Sequence, residues 1–241
     1  ISSSSSLTIA LKILEVNGIS KKYLTKKALN GVDLTVDKGK IVGILGPNGS
    51  GKTTFLKIIA GLTRPTDGKV QVCNTEIGYK TKELIAYLPD SDFLYPWMKI
   101  SDAEKVYTSF FKDFNSEKFY ELLDFMKLEL DMSVKGLSKG MKEKLALALT
   151  LAREAKLIIL DEPLNGVDPV AREQILKAIL KGFNFESSMI ITSHLINEVE
   201  SLLDEVYFLK EGIIELYGNA EDLRIEKSMT LDELYREVFA C

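Results

Sequence analysis

Nine consecutive residues, Gly46, Pro47, Asn48, Gly49, Ser50, Gly51, Lys52, Thr53 and Thr54, constrain this chain more than any other stretch. They satisfy G-x-x-x-x-G-K-[ST] at every fixed position. An apolar, strand-like run over residues 40–45 precedes them and a helix-like run over residues 55–60 follows, which is the context the pattern requires. Glycines at this spacing let backbone N–H groups turn toward a polyphosphate, and the start of a helix adds positive potential. The Lys52 ammonium is then placed for the β- and γ-phosphates, and the Thr53 hydroxyl for one position on Mg²⁺. The expected ligand of such a loop is a nucleoside triphosphate.

At 241 residues the chain accommodates one large α/β domain or two small ones. Its 46% hydrophobic and 27% charged residues are ordinary for a soluble globular protein. The longest near-continuous apolar run, residues 145–152, is far too short to cross a bilayer, so any membrane role calls for a separate partner. A formal net charge of −4 argues against nucleic acid as a partner, because that needs a basic surface. Cys73 and Cys241 fit neither a disulfide framework nor metal-ligand spacing, and are expected to be inert thiols in a reducing cytoplasm. The opening Ile1 and the serines after it lack the pattern of a signal peptide. Residues 1–10 are therefore expected to be a cloning or cleavage remnant, or a flexible N-terminus.

Strand-like and helix-like segments alternate along the rest. Residues 11–16, 29–36 and 40–45 read as strands, and the first two reach the loop without an intervening helix, which suggests an antiparallel portion at the N-terminal side. Residues 68–73 and 84–88 read as further strands. Residues 101–151 are helical in character, opening with the capping pattern Ser101-x-x-Glu104. Within them Phe119, Leu122, Leu123 and Met126 recur at helical spacing. Residues 157–160 and 189–191 have the length of buried parallel strands, and between them a helix is expected with Asp168 as N-cap and Pro169 at its first position, closing at Gly182. Thr230-x-x-Glu233 opens a short C-terminal helix. The fold class is α/β: a P-loop NTPase core with a mainly parallel sheet, an antiparallel β portion and a helical insert.

A second chemical feature is the apolar run 157–160 ending in Asp161 and Glu162. In a doubly wound sheet the tip of such a strand lies beside the phosphate loop. Asp161 would hold Mg²⁺ through its water shell, and Glu162 is placed to polarise a water for attack on the γ-phosphate.

The order of these motifs resembles the nucleotide-binding domain of an ABC (ATP-binding cassette) transporter over about residues 11–218, with a helical insert at about 92–153 and a helical extension at 219–241. Residues 46–54 match the family's Walker A loop and 157–162 its Walker B strand. Leu137-Ser138-Lys139-Gly140-Met141 stands where the family has its LSGGQ signature, Asn165-Gly-Val-Asp168 at the D-loop, and Thr192-Ser193-His194 at the switch histidine. Tyr23 falls at the A-loop position, where an aromatic ring stacks on adenine.

The resemblance implies an ATPase that uses ATP and Mg²⁺, with Glu162 and His194 attending to the water and γ-phosphate. It implies that Ser138, Lys139 and Gly140 contact ATP held by a second subunit, identical or related, in a head-to-tail dimer. It further implies a separate transmembrane permease, placing the chain at the inner face of the cell membrane, with no nucleic-acid partner. The apolar connection at 93–100 is expected to meet that permease through Tyr95 and Trp97. Two positions depart from the pattern. Asp90 replaces the usual glutamine and is expected as a metal-side ligand, while Lys139 and Met141 replace a glycine and a glutamine in the signature. The Ser-Lys-Gly-Met variant resembles bacterial exporters, including peptide and antibiotic-efflux systems. A soluble, non-transport ABC ATPase and a slow ATP-binding regulatory subunit with a degenerate site are the alternatives.

Overall fold

The computed structural model describes residues 11–240. The remnant expected over residues 1–10, and Cys241, lie outside the described residues. The chain opens with β1 (Lys12–Tyr23) and β2 (Lys26–Asp37), paired antiparallel. Both run well beyond the segments expected from alternation. The break after Val16 is a register shift between Val16 and Ile19, beyond which pairing resumes as far as Tyr23 and Lys26. A bulge of this kind interrupts side-chain alternation without ending the ladder.

β3 (Ile41–Leu45) leads through the phosphate loop into α1 (Lys52–Ile59). β4 (Asp67–Val72) and β5 (Thr75–Glu76) complete the antiparallel sheet in the order β2-β1-β4-β5. β6 (Ile85–Leu88) precedes the insert, which consists of α2 (Ile100–Phe110), α3 (Ser116–Phe125) and α4 (Lys139–Leu151). The chain returns as β7 (Leu157–Asp161), α5 (Pro169–Gly182), β8 (Ser188–Ser193), α6 (Ile196–Val199), β9 (Glu205–Lys210) and β10 (Ile213–Asn219). It ends in α7 (Ala220–Lys227) and α8 (Leu231–Phe239). The second sheet has the order β10-β9-β3-β8-β7-β6, parallel throughout except for the antiparallel β9–β10 hairpin. Sequence reading leaves β5, α6, β9 and β10 unassigned, whereas α7 and α8 fall within the helical extension expected at 219–241.

The central strands are apolar on both sides because each separates two cores. On β3, Ile41 and Leu45 enter the core under the helices, while Val42 and Ile44 enter the core shared with the antiparallel sheet and α1. β7 divides in the same way, Ile158 and Leu160 against Leu157 and Ile159. Successive side chains on a strand point to opposite faces, so a continuous apolar run is what a two-core position demands.

Two helix starts differ in their fit to the sequence. α5 begins at Pro169 with the Asp168 carboxylate accepting from the Val170 and Ala171 N–H groups at 3.1 and 3.0 Å. α2 does not begin at Ser101. Its N-cap is Lys99, whose N–H donates to Asp102 at 3.0 Å. Asp102 sits at the third helical position and takes the capping role, while the Glu104 carboxylate accepts from the Tyr120 hydroxyl at 2.6 Å instead.

Candidate nucleotide site

The phosphate loop leaves β3 at the carboxyl edge of the parallel sheet. Gly46 lies under it, and any Cβ there would collide with the Leu209 carbonyl of β9. Gly51, the residue before α1, has φ 109°, and a Cβ on it would stand 2.6 Å from the Ala28 carbonyl. Both positions require glycine for backbone approach. The first N–H groups of α1 have no carbonyl within their own helix and remain available to an anion. Pro47 through Thr54 line an open cavity of about 900 Å³, whose wall also includes Tyr23, Lys26, Asp90, Glu162 and Asn165.

Lys52 is only 5% exposed. Its ammonium donates to the Gly46 and Pro47 carbonyls at 2.7 and 3.1 Å and lies 3.3 Å from Glu162 Oε1. A triphosphate offers stronger, charged acceptors than these carbonyls.

Behind the loop, β7 and β8 bring Asp161 opposite Thr192 in register. The Thr192 hydroxyl donates to Asp161 Oδ1 at 2.8 Å and accepts from the Glu162 N–H at 3.0 Å. This one side chain therefore fixes both acids. Glu162 has φ 49°, a left-handed backbone that is costly for a residue with a Cβ and persists where its surroundings hold it. Glu162 Oε2 lies 2.8 Å from His194 Nδ1 and accepts from the His194 N–H at 3.2 Å. A carboxylate only accepts, so Nδ1 carries the shared hydrogen. In the sequence Thr192 stands out only as a neighbour of His194. Its clue was position: a polar residue closing an apolar strand, level with the acid on the next.

The Thr53 hydroxyl approaches Asp161 Oδ1 at 3.4 Å, and Tyr87 donates to Oδ2 at 3.4 Å. Burial raises the Asp161 carboxyl, opposed by the hydrogen bonds from Thr192 and Thr53. A Thr hydroxyl beside one carboxylate is an oxygen-only set that suits Mg²⁺, which takes one or two protein ligands and completes its shell with phosphate and water. Among the described residues no cluster of three His, Cys, Asp or Glu could hold a metal without such help. Asp90 stands at the cavity rim, exposed, with its carboxylate accepting from the Asn165 amide at 3.2 Å.

Tyr23 lines the same cavity, half-exposed, with Lys21 Nζ 5.0 Å from its ring centre. The signature residues do not line it. Ser138 caps α4, its hydroxyl accepting from the Met141 N–H at 3.2 Å, and it lies exposed with Lys139. Lys139 folds over the D-loop, where a Cβ on Gly166 would strike its ammonium. Asp168 is a helix cap, with Oδ2 at 3.4 Å from where a Gly140 Cβ would be. Tyr95 and Trp97 lie elsewhere, stacked at 5.7 Å and 61% and 74% exposed. Lys210, Glu211 and Phe239 line the cavity with no sequence pattern to announce them.

The family model described as ABC transporter matches residues 29–165. The lantibiotic transport ATP-binding protein SrtF of Streptococcus pyogenes is 34% identical over 217 residues, covering 88% of this chain and 94% of that protein. The Nod factor export ATP-binding protein I of Ralstonia nicotianae is 31% identical over 219 residues, covering 88% and 68% respectively. A solved structure described as the ATP binding subunit of an ABC transporter superposes with a TM-score of 0.82 at 27% identity, covering 94% of this chain and 99% of that one. This chain belongs to the ABC transporter family, as an ATP-binding and ATP-hydrolysing subunit.

Proposed function

We propose that hydrolysis takes place at a site completed by a second nucleotide-binding chain, and that closure and opening of this pair drive a separate transmembrane permease in export. The observation that carries the catalytic part is the buried Glu162 carboxylate, held between His194 Nδ1 at 2.8 Å and Lys52 Nζ at 3.3 Å. Triphosphate oxygens would draw Lys52 away from the Gly46 and Pro47 carbonyls and from Glu162. Glu162 can then accept a proton from a water whose oxygen bonds to the γ-phosphorus as the bridging β–γ bond breaks. His194 keeps that carboxylate oriented and offers its second ring nitrogen to water or phosphate. When bound, Mg²⁺ neutralises charge on the β- and γ-oxygens, and Thr53 and Asp161 are the residues that would hold it. Tyr23 supplies an aromatic face for the base.

Dimerisation is supported by Ser138 and Lys139, which stand exposed at the N-terminus of α4 outside this chain's own cavity, with Gly140 buried behind them against α5. A helix N-terminus suits a phosphate, here one held by the partner. Export is supported by the signature variant and by the two relatives named for lantibiotic transport and Nod factor export. No helix among the described residues is long and apolar enough to cross a membrane. Docking of this chain on that permease would hold it at the inner face of the membrane.

Glu162→Gln tests the catalytic assignment. Phosphate release should fall by about 10²–10⁴-fold, the usual worth of a general base, with ATP affinity retained. A parental rate would remove Glu162 from the role. Trp97→Ala tests permease docking through the exposed aromatic pair. Co-purification with the permease should be lost with ATP binding intact, as expected for an aromatic anchor; normal co-purification would refute the assignment.

A further inference from the structure

Helix α8 carries none of the groups assigned to phosphate or water, yet Phe239 forms part of the cavity wall with the P-loop, Glu162 and Lys210. Its ring is fixed by neighbours: centroids lie 4.4 Å from Tyr235 and 6.1 Å from Phe208, and Tyr235 meets Phe208 edge-on at 5.9 Å. Phe208 pairs in register with Leu45, the last residue of β3 before the loop. The next residue, Leu209, presses its carbonyl so closely under Gly46 that a Cβ has no room. At the β9–β10 turn the Gly212 N–H donates to the Ser50 carbonyl at 2.9 Å. Lys210 Nζ donates to the Val238 carbonyl at 3.4 Å and lies 5.8 Å from the Phe239 ring centre. The P-loop therefore rests on the end of β9, and that end is held against α8 by three aromatic rings.

The other end of α8 is tied to the segment that follows His194. The Leu231 N–H donates to Glu200 Oε2 at 2.8 Å, and Leu231 and Leu234 share a core with Ile196 and Val199 of α6. In the sheet β9 and β8 flank β3 on opposite sides. One short helix thus braces both neighbours of the strand that feeds the P-loop. Burial raises the Tyr235 phenol, with the Glu162 charge adding to it, which agrees with α8 lying close behind the catalytic acid.

We propose that α8 is a wall of the nucleotide site and that Phe239 is a positioning residue for the P-loop, setting the β9–β10 turn on which the loop rests and, through it, nucleotide affinity. The inference rests on the P-loop cavity being the ATP site. ADP and ATP both lie on this loop, so loss of the ring weakens both alike, whereas a role confined to the γ-phosphate would spare ADP.

The test is equilibrium binding of fluorescent ATP and ADP analogues to the full chain, alongside its melting temperature. Phe239→Ala removes two ring pairs and should weaken both nucleotides by roughly three- to tenfold. The melting temperature should fall by only a few degrees, since Phe239 is half-buried at the end of the helix. Phe239→Tyr, which keeps the ring, should restore both affinities. Parental affinity in Phe239→Ala, or loss for ATP alone, would overturn the proposal. Should Phe239→Ala give no soluble protein, Phe239→Leu keeps apolar bulk without the ring and decides on the same criteria. A parent chain that binds neither analogue would overturn the site assignment itself, and the proposal with it.

Discussion

Behind the P-loop, Asp161, Glu162 and Thr192 are buried and bonded to one another, and Lys52 reaches them through the loop. On the helical insert, Ser138 and Lys139 stand exposed at the start of α4, and Trp97 is 74% exposed. The first region has its polar partners within the chain; the second presents a helix end and an aromatic pair with room for partners from outside. Backbone geometry explains the difference. Adjacent parallel strands deliver Asp161 and Thr192 to one level of the sheet, where each satisfies the other. The insert joins that sheet through loops and buries its aliphatic faces, leaving Ser138 and Lys139 at the start of α4 exposed.

After loss of Glu162 itself, the largest effect is expected where the enclosed region depends on a single side chain. Thr192→Val keeps shape but removes the hydroxyl that serves both Asp161 and the Glu162 N–H. Misplacing a catalytic group by about 1 Å can cost roughly 10²-fold, and steady-state phosphate release should fall on that scale. A parental rate would show that Glu162 holds its left-handed backbone without Thr192.

A smaller effect is expected on α4, and it depends on pH. Glu143 is pushed up to about 7, by burial first and then by Asp90, with Lys139 opposing and Asp92 adding. A carboxyl raised above its unfolded value of 4.5 adds stability that is fully present below pH 4.5 and lost as pH rises through about 7. Glu143→Gln keeps the neutral form at all pH. It should melt with the parent near pH 4.5 and several degrees higher, about 4 °C or more, near pH 8. Equal melting temperatures at both pH values would mean that the charged carboxyl is as well solvated as in the unfolded chain.

The enclosed region was also the legible one. The loop from Gly46 to Thr54, the acids at 161 and 162 and His194 announce themselves because each motif sits at the end of an apolar run, and strand ends are where an α/β sheet collects its chemistry. What escaped reading depends on the path of the chain through space. Thr192 acts through its register with Asp161, Phe239 through a helix that returns to the loop from the far end of the sequence, and Lys139 through a fold-back onto Gly166. The cap of α2 differs for a local reason: of two nearby acids, Asp102 reaches back to the Lys99 N–H while Glu104 is held by the Tyr120 hydroxyl from another helix.

Whether the exposed α4 terminus completes a second chain's site is measured most directly by sedimentation of Glu162→Gln with and without ATP. ATP should convert it from monomer to dimer, and adding Ser138→Arg at the start of α4 should abolish dimerisation without preventing ATP binding. A chain that binds ATP and remains monomeric, or a Ser138→Arg variant that still dimerises with ATP, would contradict the account.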